Sequence, residues 1–183
     1  MSQNVLQPRA YAALNIDSLN RPVIDYGATA SDIDNGNIFT LDSKHTSGSL
    51  TEVWEVTAPT SASDANLWMA YSNDEVILTS AKFKGIDPDV RNFKNEANKV
   101  FSAIKPQIGD IYVMTADGFS NTFSSHTYAS CIDGSFKLYW QSAAAAAGLD
   151  FKYIATTYIS IHTSSSTIDM QRTTAYELEC IQI

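Results

Sequence analysis

Charge is scarce in this chain, and what there is leans to one sign. Charged residues make up 17% of 183, with 12 Lys and Arg against 20 Asp and Glu, a formal net charge of -8. Lys and Arg form no run: Lys82, Lys84, Arg91, Lys94 and Lys99 are scattered. Nucleic-acid binders draw their affinity from clustered cations that neutralise phosphates, so this balance argues against a nucleic-acid partner. Long apolar runs are missing as well. Nothing approaches the roughly 18 consecutive apolar residues of a membrane helix. The opening MSQNVLQPRAYAALNIDSLN lacks the basic start and apolar centre of a signal peptide. No Asn heads an Asn-x-Ser/Thr acceptor either, so no membrane partner is expected and the product is expected to be made in cytoplasm.

Cysteine is nearly absent. Cys131 and Cys180 are too few and too far apart for a zinc knuckle or a disulfide scaffold, and each sits among apolar strand residues. They are expected to be small buried hydrophobes, bridged only if their strands are adjacent. Catalytic devices are also lacking: there is no G-x-S-x-G elbow, no P-loop and no G-x-G-x-x-G. His45, His126 and His162 have no second ligand at metal spacing and are expected to be solvent-exposed loop residues. No enzyme activity and no cofactor are expected.

What the chain has is alternation. Short β runs separated by turn residues recur from Arg21 onward, about ten of them. They are PVIDY at 22–26, NIFTLD at 37–42, LTEVWEVT at 50–57, LWMAYS at 67–72, EVILTSAKF at 75–83, DIYVMTA at 110–116, HTYASCI at 126–132, SFKLYWQS at 135–142, FKYIATTYISIH at 151–162 and TAYELECIQI at 174–183. Asn73 with Asp74, and Asp133 with Gly134, read as tight hairpin turns, the second as type I′. In the last strand Tyr176, Leu178 and Cys180 face one way and Glu177 and Glu179 the other, which should lock the C-terminus into a sheet. Ser and Thr supply roughly a fifth of the residues, as in β-rich, loop-rich proteins. Together these predict an all-β fold, an antiparallel β-barrel or β-sandwich with one or two short helices, placed at 92–104 and 142–147. Residues 21–183 form a single β-rich domain. Residues 1–20, apolar but aperiodic, form either a strand-like lid on that domain or an arm that lies on a neighbour.

Three groups of residues invite a chemical reading. KFKGIDPDVRNFKNEANKVF at 82–101 places Asp87 and Asp89 as a calcium loop would, but Arg91 stands where the fifth ligand belongs, Asn92 replaces the turn glycine and Asn98 the bidentate glutamate. The pattern predicts no metal. Asp87, Asp89, Arg91 and Lys94 instead offer polar contacts within the fold or to a neighbour, with Arg91 the anchor because a guanidinium grips a carboxylate bidentately. Asp25, Asp32, Asp34 and Asp42 read as a solvated acidic loop. Trp54, Trp68 and Trp140 read as core and cross-strand packing, the alternative being a stacking groove for a carbohydrate.

The stretches KFKGIDPDVRNFKNEANKVFSAIKPQIGDIYVMTADGF and YIATTYISI…DMQRTTAYELECIQI, in the C-terminal half, resemble small virion proteins encoded near the major capsid gene of tailed bacteriophages. These are structural proteins of the capsid decoration or cement type. The resemblance implies a β-rich subunit that binds the outside of an assembled shell and staples neighbouring capsomers, with the major capsid protein or other virion proteins as partners, a homo-oligomeric arrangement and a location in the virion. A tail-tube or baseplate component, or a carbohydrate-binding module, is the alternative. On the first reading the N-terminal segment supplies contacts through Leu6, Tyr11, Leu14 and Leu19, and the 87–98 loop through Asp87, Asp89, Arg91 and Lys94.

Overall fold

In a computed structural model, residues 3–10, 20–48, 50, 52–61, 63–72, 76–78, 85–87, 89–162 and 170–183 are described, with backbone alone at 10, 20, 76–78, 85–87 and 162. Among the described residues thirteen strands account for nearly all the regular structure, and the helical content is two short 3-10 turns, Val90–Asn92 and Ala116–Gly118. The chain is all-β, as its alternation predicts.

Five strands close a barrel: β2 (Asn20–Ile24), β4 (Trp54–Thr57), β3 (Ile38–Lys44), β5 (Leu67–Ala70) and β8 (Val100–Ile104), in that order. Neighbours are antiparallel except β2 and β4, which run parallel at Val23–Trp54 and Ile24–Glu55. The period-2 pattern of each strand sorts its side chains between two cores. Val23, Phe39, Val56, Trp68, Ala70, Phe101 and Ala103 fill the barrel. Their alternates Ile38, Leu67, Met69 and Ile104 point outward into a second layer.

That second layer is closed by a six-stranded antiparallel sheet. Its order is β1 (Leu6–Ala10), β9 (Ile111–Thr115), β13 (Met170–Gln182), β12 (Asp150–His162), β10 (Tyr128–Ser130) and β11 (Tyr139–Gln141). Tyr112, Met114, Trp140, Phe151, Leu178 and Cys180 from this sheet meet the outward side chains of the barrel. A small separate pair, β6 (Val76–Leu78) and β7 (Gly85–Asp87), completes the elements.

Pro8 and Pro22 sit where a missing N–H does least harm. The first is on the edge strand β1, and the second lies at a point of β2 that pairs with β8 before pairing with β4 begins. Residues 4–6 belong to the molecule's own interior. Val5, Leu6 and Asn4 are buried, and the Asn4 amide donates to the Asn35 carbonyl at 2.6 Å while its oxygen accepts from the Thr115 hydroxyl at 3.0 Å. A Cβ at Gly118 would lie 2.8 Å from Asn4 Cγ, so a glycine is needed there for the backbone to approach this side chain.

Four local expectations are corrected. No helix forms over 92–104, because Asn95 spends its side chain on the Ile33 carbonyl, Asn98 takes a left-handed φ of 59°, and the chain enters β8 at Val100. None forms over 142–147 either. There the Ala145 N–H donates to the Asp150 carboxylate at 3.1 Å rather than to a helical carbonyl. Among the described residues the 67–72 and 75–83 runs do not pair: β5 pairs with β3 and β8, and β6 with β7, while 73–75 and 79–83 lie outside the described residues. Asp133 and Gly134 lie within the 131–138 connection from β10 to β11 and do not make a tight hairpin turn, and only Gly134 has positive φ, at 69°, so the turn is not type I′.

Candidate docking surface

The predicted site residues are placed as follows. Leu6 opens β1 opposite Met114 and is buried in the layer between barrel and sheet, so its side chain faces its own core. Tyr11, Leu14 and Leu19 lie outside the described residues. Asp87 ends β7 opposite Val76, and its side chain is likewise outside the description. Asp89 caps the Val90–Asn92 turn by accepting from the Arg91 N–H at 3.1 Å. The Arg91 guanidinium grips the same carboxylate at both oxygens, Nε to Oδ1 at 2.9 Å and Nη2 to Oδ2 at 2.8 Å. Its remaining arm, Nη1, donates to Gln171 Oε1 at 3.1 Å. The bidentate grip expected of Arg91 is thus made within the chain, and it holds the Asp89 carboxyl below the usual range. Lys94 pairs with Asp32 at 2.6 Å and lowers that carboxyl too.

The 87–98 segment uses its would-be calcium ligands for folding. Asn98, at the twelfth position, accepts from the Gly27 N–H at 2.9 Å. Among the described residues no three His, Cys, Asp or Glu side chains are placed to hold a metal. The acidic stretch also divides into separate tasks. Asp25 accepts from the Ser31 N–H, Asp32 binds Lys94 and the Ala97 N–H, and Asp34 is buried, accepting from the Asn4 N–H, with burial pushing its carboxyl upward.

The expectation that the histidines are exposed also changes. His45 is buried, not exposed: Tyr26 meets its ring edge-on at 4.4 Å, and its Nδ1 lies 2.8 Å from Glu55 Oε1. Glu55 provides the polar partner that makes this burial tolerable. His126 is half-buried, accepting from the Ser124 N–H, and the His162 side chain lies outside the described residues. Cys131 and Cys180 are free and buried, their thiols pushed up by burial to about 11 and about 12. Cys131 follows β10 and Cys180 lies on β13, with β12 between them, so the condition for a bridge is not met.

Trp68 and Trp140 are buried, and Trp54 is half-buried with Arg21 Cζ 5.7 Å from its ring centre. None of the three presents a bare face for stacking a sugar. Trp140 instead stacks on Phe119 at 4.3 Å in an aromatic group that includes Phe123, Tyr153 and Tyr176.

The surface best suited to a partner lies elsewhere. β12 and β13 are each 13 residues long, about twice the usual strand, and pair from Asp150–Gln182 to His162–Met170. Their neighbours stop early. β10 pairs with β12 only at Asp150, Phe151 and Lys152, and β9 pairs with β13 only from Ala175 to Glu179. A bulge between Tyr153 and Ala155 marks where β12 leaves β10. Beyond it, among the described residues, the hairpin continues as two strands.

One face of this extension is anchored. Ile159, Ile161 and Ala175 are buried with Val5 and Val113, Val90 packs beside them, and Arg91 holds Gln171. The opposite face is open. It carries Tyr158 at 51% exposure and Met170 at 53%, with Thr156, Ser160, Arg172 and Thr174 around them, and Ile154 at the bulge is 44% exposed. Arg172 lies over the Tyr158 ring, its Cζ 4.3 Å from the centre, so the guanidinium and the phenol form one preorganised unit. A strand pair with an aromatic, a methionine and an arginine on its open face has the composition favoured at protein interfaces.

No protein-family model matches this chain, and neither a curated protein nor a solved structure matches it.

Proposed function

We propose that this chain is a non-enzymatic structural subunit of a bacteriophage virion, a capsid decoration or cement protein that works through protein–protein contacts. It is made in the host cytoplasm and ends in the virion, and its partners are the major capsid protein and neighbouring copies. The observation that carries this reading is the projecting β12–β13 hairpin, braced on one face and exposing Tyr158, Met170 and Arg172 on the other. One of the two stretches that resemble virion proteins, YIATTYISI…DMQRTTAYELECIQI, supplies both strands of this hairpin. Burying a large apolar side chain contributes about 1.5 to 3 kcal/mol, so a patch this small binds weakly alone. On a shell that offers many equivalent positions, weak contacts add through multivalency.

The test is co-sedimentation of the full chain with undecorated phage heads. The wild-type chain is expected to sediment with heads, and Tyr158→Asp combined with Met170→Asp to lose at least tenfold in bound fraction while keeping its circular dichroism spectrum. Binding to isolated tails in place of heads would move the assignment to the tail tube or baseplate. Binding to neither would overturn the virion reading.

A further inference from the structure

The open face is not the hairpin's only unsatisfied surface. Beyond Lys152 the outer edge of β12 has no partner strand among the described residues, because β10 ends there and only the Tyr153 N–H reaches back, to the Thr127 carbonyl at 2.8 Å. An edge of this kind presents a row of backbone donors and acceptors to any strand that can align with it. Proteins that must stay apart place Lys, Pro or an inward charge on such an edge. Residues 155–162, ATTYISIH, contain no Asp, Glu, Lys, Arg, Pro or Gly. The edge carries none of the usual protection beyond the bulge, which lies before this stretch rather than within it.

Charge selects the occupant. A chain of formal net charge -8 repels a second copy over most approaches, and the cost falls where neither surface is charged. The 155–162 stretch is neutral, and the facing part of β13, residues 170–174, adds Arg172 and no acid. A foreign strand needs no such match, whereas a second copy of this same edge meets it by construction.

We infer that two copies of this chain pair through the free edge of β12, antiparallel about a twofold axis at Tyr158, joining their sheets into one. With that centre, Thr156 of one copy stands opposite Ser160 of the other, Ala155 opposite Ile161, and Tyr158 opposite Tyr158. Every pair is neutral, and the central aromatic pair adds cross-strand packing. Seven overlapping residues supply roughly six to eight interchain backbone hydrogen bonds in an antiparallel ladder. Both copies then present their Tyr158, Met170 and Arg172 faces on the same side, doubling the docking surface. The inference rests on the proposed use of the hairpin as the working surface, but not on the identity of the shell.

The experiment is sedimentation equilibrium of the full chain with two charge-paired variants, Thr156→Lys with Ser160→Lys and Thr156→Glu with Ser160→Glu. Both positions are exposed, so the fold tolerates them. The wild type is expected to dimerise with a dissociation constant on the order of micromolar, as suits a small interface. Each variant alone, with like charges opposed across the axis, should weaken dimerisation at least tenfold, and an equimolar mixture of the two should restore it. A wild type that stays monomeric to about a hundred micromolar, variants that dimerise as well as it does, or a mixture that fails to re-form dimers would each overturn edge pairing. Dimerisation without binding to heads would leave the pairing standing and remove the virion assignment, and head binding by a chain that stays monomeric would do the reverse.

Discussion

At the scale of single residues, four aspartates divide into two pairs with opposite consequences for stability. Asp32 and Asp89 are held below the usual 3.8 by hydrogen bonds from Lys94 and Arg91. Their contribution is fully present above 3.8 and is lost as pH falls through their depressed values. Asp34 and Asp150 are raised, chiefly by burial. Their charged forms cost stability at neutral pH, and that cost is relieved as pH falls through the raised values toward 3.8. Asp150→Asn removes one titration while leaving an oxygen to accept from the Ala145 N–H. Urea unfolding from pH 7 down to about pH 4 should therefore show the variant's stability, relative to wild type, declining as pH falls. Parallel curves would mean that Asp150 titrates alike in folded and unfolded chains. The sequence shows these aspartates but not their sorting, which depends on Lys94 reaching across 62 positions to Asp32 and on Asp150 sinking fully from solvent.

At the scale of elements, legibility followed the hydrophobic period. TAYELECIQI alternates cleanly, and Leu178 and Cys180 are buried where the alternation puts them. FKYIATTYISIH is likewise a strand, and SFKLYWQS buries Leu138 and Trp140 as expected. The failures came where spacing and turn chemistry disagreed. Val90, Phe93, Ala97, Val100, Phe101 and Ile104 are helically spaced, but the asparagines among them prefer side chain-to-backbone bonds and left-handed backbone, and these decided the local structure. In the alanine run, high helix propensity was too weak to act over so few residues. That gives a direct check, since Ala144 and Ala146 are exposed and lie outside any helix. Ala144→Gly and Ala146→Gly should each change unfolding free energy by less than about 0.5 kcal/mol. In a helix each would cost about 1 kcal/mol. A loss of that size at both would restore the helix.

At the scale of the whole molecule, a barrel and a sheet share one apolar layer, and the sheet's central hairpin outgrows its neighbours. The length of β12 was readable from the sequence, but β13 begins at Met170, before the expected 174–183 run. Their projection was not readable, because it depends on where β9 and β10 stop, and so Ile154, Tyr158, Met170 and Arg172 carried no signal as a site. The one cue was the hydroxyl-rich alternation of ATTYIS, which leaves a strand face neither charged nor fully apolar. Of the residues that did stand out, Asp89 and Arg91 serve the same surface indirectly, since Arg91 ties the Asp89 turn to Gln171 behind the hairpin, while Lys94 pairs with Asp32. Amide hydrogen exchange, comparing the free chain with the chain bound to phage heads, measures this account most directly. Binding should slow exchange in residues 154–162 and 170–174 by at least tenfold, with little change in the barrel strands or in residues 89–98. Unchanged exchange in the hairpin, with new protection confined to the 89–98 loop or the N-terminal segment, would contradict it.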